Sequence, residues 1–171
     1  MTSPKIIVII PAYNEAQSIG LVIAEIPSVV SEVIVVNNRS TDETAAVAKK
    51  AGATVLTENQ MGYGHACLKG MDYVAGLEVP PDIVVFLDGD YSDYPEELLD
   101  LVAPIIEEDL DFVVGARQKA LREAGSMTPQ QVFGNALACT LMKLFFGATF
   151  TDLGPFRAIK YKRLLDMNMS D

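Results

Sequence analysis

Apolar residues along this chain fall into short unbroken runs, and between those runs they recur at helical spacing. Five runs read as strands: KIIVIIPAY (5–13), EVIVVNN (32–38), ATVLTE (53–58), DIVVFLD (82–88) and DFVVGAR (111–117). The intervening segments 15–30, 43–52, 66–77 and 96–108 carry the helical spacing. Ser40 stands three residues before Glu43, a capping-box spacing that predicts the start of the second helix, with Gly52 as its stop. Pro95 marks the start of the fourth. Strands that are apolar throughout, rather than alternating, are covered on both faces. The expected fold is therefore α/β, a mostly parallel sheet with helices on both faces. Ligands in such sheets collect beyond the carboxyl ends of the strands. The candidate stretches are then Pro11 to Glu15, Asn37 to Arg39, Asp88 to Asp93 and Gly115 to Arg117.

Composition narrows the picture. A length of 171 residues suits one domain, 1–171. The net charge of −10 argues against nucleic acid as a partner. The acidity is uneven, because carboxylates run from Glu78 to Asp111 with no Lys or Arg between Lys69 and Arg117; most of these, after residue 94, read as a solvated face. Cys67 and Cys139 sit in apolar helix-like contexts and read as buried thiols of a reducing compartment. The run before Pro11 is too short for a signal peptide. The longest apolar stretch, 132–150, is interrupted by Asn135, Thr140 and Lys143 and falls short of a membrane span. Segment 129–150 is expected to be a helix buried against the sheet, with an acceptor-facing or membrane-surface role as the alternative. The expected location is cytoplasmic, and the pattern sets no oligomeric state.

The first strand runs into Pro11-Ala12-Tyr13-Asn14-Glu15, not into the G-x-G-x-x-G that brings a helix against a pyrophosphate. Tyr13 offers a ring to a base or sugar and Glu15 an acceptor for hydroxyls; the alternative is a turn with Asn14 as helix cap. Asn37 and Asn38 either read a base edge with their amides or form a turn. Asp88 and Asp90 flank Gly89 at the end of the fourth strand. Two carboxylates at i and i+2 suit a hard divalent cation, Mg²⁺ or Mn²⁺, that shares its shell with a diphosphate. The glycine leaves room for close approach. Ser92 adds a weak ligand or holds a water, and Asp93 reads as a cap for the following helix. His65 reads as a loop residue rather than a metal ligand.

Together IIPAYNE, VVNNRSTDET, MGYGHACLKG, FLDGDYS, VVGAR and TDLGPFRA resemble, in order and spacing, family 2 glycosyltransferases of the GT-A fold. Within that family the likeness is to the dolichyl- and polyprenyl-phosphate sugar synthases, and it covers nearly the whole chain. The resemblance implies a nucleotide pocket at Pro11, Ala12, Tyr13, Glu15, Asn37, Asp88 and Gly89, with a metal on Asp88 and Asp90. It implies that Arg117 contacts phosphate and that Asp152 acts as base or orients the acceptor, with Arg157 five residues on. The family pattern has Asp-Asp where this chain has Asn37-Asn38, and relatives run on past the final MNMSD. The chain is accordingly expected to be a catalytic domain without the family's C-terminal elements.

The implied reaction is inverting displacement at the anomeric carbon of a nucleotide-diphospho-sugar. A polyprenyl phosphate acceptor would place the protein peripherally at the inner face of the membrane. Two rivals stand beside it. One is a nucleotide-sugar-binding remnant without turnover. The other is a haloacid-dehalogenase-type phosphatase, whose D-x-D is expected on the first strand rather than the fourth.

Overall fold

The computed structural model describes residues 3–115 and 154–169. The chain divides into two compact units, 1–113 with 156–171, and 114–155. Nearly all of the second unit lies outside the described residues, as do Arg117, Cys139, Asp152 and the expected helix 129–150.

In chain order the first unit runs β1 (Ile6–Ala12), α1 (Ile19–Glu25), β2 (Glu32–Asn37), α2 (Thr44–Lys50), β3 (Thr54–Thr57), α3 (Tyr63–Ala75) and β4 (Ile83–Phe86). A single 3₁₀ turn (Pro95–Glu97) then leads into α4 (Leu98–Glu107) and β5 (Phe112–Val114). After residue 154 come β6 (Arg157–Lys160) and α5 (Tyr161–Asp166). The strand order is β3-β2-β1-β4-β6-β5. β1 pairs in parallel with both β2 and β4, and β2 with β3, whereas β6 runs antiparallel to β4. The sheet is mostly parallel, with the α/β layering of the GT-A fold.

Each strand feeds both faces. Ile6, Val8, Ile10, Val35, Val85 and Leu87 point into one core with Ile19 and Val22 of α1 and Leu98, Leu101 and Val102 of α4. Ile7, Ile9, Ile34, Val36, Val84 and Phe86 point into the other with Ala66 and Val74 of α3. This two-sided burial is why the strands are apolar throughout, and all seven residues of β1 are buried. β1 leads leftward to β2 through α1 on one face. The α3 crossover returns past β1 to β4 on the other face, as a uniform right-handed connection requires. The chain thus reverses direction across the sheet between β1 and β4, the position where open α/β sheets form a crevice.

Several elements depart from expectation. Helix α1 starts at Ile19 rather than 15, and it ends before Pro27. Ile26, ahead of that proline, is extended (φ −64°, ψ 127°), as the proline ring demands. No capping box opens α2: Glu43 occupies the cap without a side-chain bond, and Ser40 is engaged elsewhere. At the 3₁₀ turn, Tyr94 occupies the cap position ahead of Pro95 and makes no side-chain cap bond. β6 was not expected as a strand. Its four residues carry a cation at each end, and only Ala158 and Ile159 are buried, too short a signal to stand out. The carboxylates beyond residue 94 are solvated as expected; Asp109 and Asp111 pair with Lys160, and Asp111 also with Arg163. The Lys160 and Arg163 bonds hold the Asp111 carboxyl below its ordinary range. Among the described residues no helix is long and apolar enough to cross a membrane.

Helix α3 lies close on the sheet because Gly70 has no side chain. A Cβ there would come within 2.6 Å of Ile9 Cγ2, which is itself fixed in the core. Gly70→Ala is therefore expected to cost about 1–3 kcal/mol of stability, read from urea unfolding at unchanged m. Gly64→Ala, on the same helix with nothing within 4 Å of the added carbon, should leave stability unchanged or slightly raised.

Candidate active site

At the carboxyl end of β1 the chain turns through Asn14, held in the left-handed region (φ 57°) that Asn tolerates better than most residues. Its backbone N–H donates to Ser40 Oγ at 3.0 Å, and its Oδ1 accepts from Thr41 N–H at 2.8 Å. The next two amides are also taken by the loop after β2: Glu15 N–H donates to Thr44 Oγ1 at 2.8 Å and Ala16 N–H to Asp42 Oδ2 at 3.1 Å. The buried Thr44 hydroxyl in turn donates to Asp42. That bond, with the backbone N–H donors of Thr44 and Ala16, holds the Asp42 carboxyl below its usual range. The residues of the expected cap thus lash two strand-end loops together. Tyr13 and Glu15 are left facing the crevice, with Glu15 Oε2 accepting from Ser18 Oγ at 2.9 Å.

At the end of β2 the two asparagines have different work. Asn37 Oδ1 accepts from Ser40 N–H at 3.1 Å, a local side-chain bond that closes the turn after β2, and Asn37 is not among the residues that line the cleft. Asn38 does line it and is buried. Its amide donates to Gln60 O at 2.5 Å and Glu58 O at 3.3 Å, and its Oδ1 accepts from Gly62 N–H at 2.7 Å. Gly62 sits at φ 145°, a conformation suited to glycine, and delivers the chain into α3 at Tyr63. This is why α3 begins three residues earlier than the spacing of its apolar positions predicts. The loop NQMGYGH becomes a wall, not a connector.

At the end of β4, Asp88, Gly89 and Asp90 all line the cleft, with Asp88 half-buried and Asp90 exposed. Asp90 Oδ1 accepts from Ser92 N–H at 2.9 Å, so Ser92 meets Asp90 through its backbone. Tyr91 between them is held at φ 64°, uncommon for an aromatic residue, and its hydroxyl donates to Glu25. A Cβ at Gly89 would meet Ile19, Glu15 and Ile10 at 3.4–3.5 Å, ordinary contact distances.

These loops enclose a cleft of about 360 Å³ lined by Pro11, Tyr13, Glu15, Asp88 and Asp90 on one side and Met61, Gly62 and Tyr63 on the other. That volume suits a small polar ligand. Of the residues singled out from sequence, Pro11, Ala12, Tyr13, Glu15, Asp88, Gly89 and Asp90 meet here; Asn37 lies beside it, and Arg117 and Asp152 fall outside the described residues. Asn38, a candidate alongside Asn37, lines the cleft as well, whereas sequence reasoning missed Met61, Gly62, Tyr63 and Ala66 as lining residues. Burial raises the Tyr63 hydroxyl well above its ordinary value, although the residue as a whole keeps 44 % of its surface exposed. Burial also pushes the Cys67 thiol up to about 11, so neither group ionises at neutral pH. Among the described residues no group of three or more His, Cys, Asp or Glu is placed to hold a metal ion. Two aspartates on an open cleft still fit a hard divalent cation that takes its other ligands from phosphate oxygens and water.

A sheet reversing between β1 and β4, with a D-x-D and an aromatic strand end at that reversal, is the architecture of nucleotide-sugar-dependent glycosyltransferases of the GT-A class. The chain belongs to glycosyl transferase family 2, whose profile matches residues 7–165. An uncharacterized glycosyltransferase of Mycobacterium tuberculosis is 31 % identical over 172 residues, spanning 100 % of this chain and 74 % of the relative. The dolichyl-phosphate hexose transferase of Haloferax volcanii is 31 % identical over 175 residues, spanning 99 % of this chain and 72 % of that one. Among solved structures, glucosyl-3-phosphoglycerate synthase of M. tuberculosis, crystallised with Mn²⁺, UDP-glucose and phosphoglyceric acid, superposes with a TM-score of 0.73 at 25 % identity, covering 93 % of this chain and 57 % of that one. This chain therefore spans a little over half the length of that structure.

The Asn38 bonds generate a direct expectation. Asn38→Ala strands the Gly62 N–H and two carbonyls, at a cost of about 1–3 kcal/mol. The Gly62 amide should then exchange with solvent faster than neighbouring amides of β1. Equal protection of Gly62 in variant and parent would show that the carboxamide does not hold the loop.

Proposed function

We propose that this chain carries the donor site and catalytic centre of an inverting hexosyltransferase that moves a sugar from a nucleotide-diphospho-sugar to a polyprenyl phosphate. The observation that carries the reading is the cleft itself. It joins an aromatic strand end and a hydroxyl acceptor, Tyr13 and Glu15, to the paired carboxylates Asp88 and Asp90 at the reversal of the sheet. Support for the donor comes from the UDP-glucose complex of the structural relative, and for the acceptor class from the dolichyl-phosphate relative.

In this reading the nucleoside lies against Tyr13, and Glu15 accepts from a hydroxyl of the ribose or sugar. Asp88 and Asp90 would hold Mg²⁺ or Mn²⁺, which when bound would neutralise charge on the diphosphate. The acceptor oxygen attacks the anomeric carbon from the face opposite the diphosphate. The C–O bond to the diphosphate breaks as the new one forms, and configuration inverts. A phosphate acceptor is already anionic near neutral pH, so it needs little help from a base. Asp152 would orient it, and Arg117 would supply a permanent positive charge for phosphate. A lipid acceptor places the reaction at the surface of a membrane.

The test is acceptor-dependent turnover. Incubation with UDP-glucose or GDP-mannose, Mn²⁺ and a short-chain polyprenyl phosphate should yield a lipid-linked hexose and free nucleoside diphosphate from one donor. Asp90→Ala should lower kcat by about 10²-fold or more. Tight nucleotide binding without any turnover would favour a binding remnant, and hydrolysis of a generic phosphomonoester would favour a phosphatase.

A further inference from the structure

The antiparallel register of β6 against β4 sets Arg157 opposite Phe86, two residues before Asp88. Phe86 and Ile159 belong to the core beneath α3, so alternation along the two strands puts Arg157 and Asp88 on that same face. The guanidinium stacks on the Phe86 ring, 5.9 Å from its centroid. Arg157 favours ionisation of the Tyr63 hydroxyl on the first turn of α3, against the burial and the Asp88 charge that oppose it. The charges of both Arg157 and Asp88 are felt by the same two groups, Tyr63 and Cys67. Arg157, Asp88, Tyr63 and Cys67 therefore act on one another electrostatically on the α3 face of the sheet, and Arg157 is the cation among them. Its Nε is buried and has no hydrogen-bond partner among the described residues. Of the four, Asp88 and Tyr63 also line the cleft.

We propose that Arg157 is a positioning residue and the resident counter-charge of the donor site. It steadies Tyr63 and Asp88 and makes divalent-cation binding depend on the donor's diphosphate. The inference rests on the donor-site reading above. A fixed positive charge beside Asp88 offsets much of the attraction that the two aspartates exert on a second cation. A cation then binds the free protein weakly. A diphosphate reverses this, because its negative charge is attracted by Arg157 and by the metal together. Arg157 thereby acts in opposite directions on the two ligands: it weakens the metal alone and strengthens the nucleotide. A residue that only filled space could not do this. Removing such a residue would loosen the site and weaken both ligands.

The experiment measures two affinities in the whole chain. Mn²⁺ binding to nucleotide-free protein is followed by electron paramagnetic resonance of the free ion. UDP binding in saturating Mn²⁺ is followed by calorimetry, with GDP as the alternative nucleotide. In Arg157→Gln, Mn²⁺ alone should bind more tightly and the nucleotide more weakly, each on the order of tenfold. Arg157→Lys keeps the charge but loses the planar fork; its affinity for Mn²⁺ alone should stay near that of the parent, and its nucleotide affinity should fall between the other two. Parallel loss of both affinities in Arg157→Gln, or no change in either, would overturn the proposal while leaving the donor site standing. Failure of the parent chain to bind either nucleotide with Mn²⁺ would overturn the donor-site reading and this inference with it. Should Arg157→Gln not fold, equal Mn²⁺ affinities in the parent and Arg157→Lys still support a role for charge, and a tighter Mn²⁺ affinity in Arg157→Lys overturns it.

Discussion

Asn38 is the point at which three strand ends meet. Its backbone N–H donates to Ala12 O at the end of β1, its amide donates to Glu58 O and Gln60 O after β3, and its Oδ1 receives Gly62 N–H at the start of α3. A buried amide satisfied this fully has one orientation. Rotating it would set donors against donors, at a cost comparable to burying polar groups unpaired. Aspartate in the same place could not donate to the two carbonyls, so the chemistry of the surrounding loops explains asparagine here without reference to any base. The cleft takes its shape from this constraint. With Gly62 fixed, Tyr63 and Ala66 stand across from Tyr13 and Asp88.

A second set of bonds does for the β1 end what Asn38 does for the β3 end. Asn14, Ser40, Thr41, Asp42 and Thr44 satisfy one another's polar groups, and the amides of residues 14 to 16 are all engaged. Backbone that is this committed cannot re-form its bonds around a ligand. The selective surfaces of the cleft are then side chains carried on rigid supports, an arrangement that limits the ordering cost of binding. Strain is kept where a ligand can use it, in the positive φ of Asn14 and of Tyr91 beside Asp90.

The sheet was legible because burial on both faces leaves an unambiguous mark, an apolar run such as IIVII with no polar alternation. The residues at strand ends were legible for the same reason, since polarity resumes abruptly at Tyr13, Asn37 and Asp88. What the pattern could not show was the partner of each polar group. Ser40 and Glu43 have capping-box spacing, yet the Ser40 hydroxyl accepts from an amide 26 positions away. Asn37 and Asn38 are adjacent and chemically identical, and only the fold distinguishes a turn from a clamp. β6 was hidden by its charged ends, and with it the register that sets Arg157 opposite Phe86, on the face that Asp88 shares. Long-range pairings of this kind leave no periodicity to read.

The central claim is that the carboxyl-end cleft, and no other surface, receives a nucleoside diphosphate with a divalent cation. Amide chemical-shift mapping of the ¹⁵N-labelled chain with UDP and Mg²⁺, and separately with GDP and Mg²⁺, tests it most directly. The account predicts that Tyr13, Glu15, Asn38, Gly62, Gly89 and Asp90 shift together for one nucleotide. Lys5 and Asp82, bonded to each other at the opposite end of the sheet, should stay in place. Shifts concentrated at that opposite end, or none with either nucleotide, would contradict it.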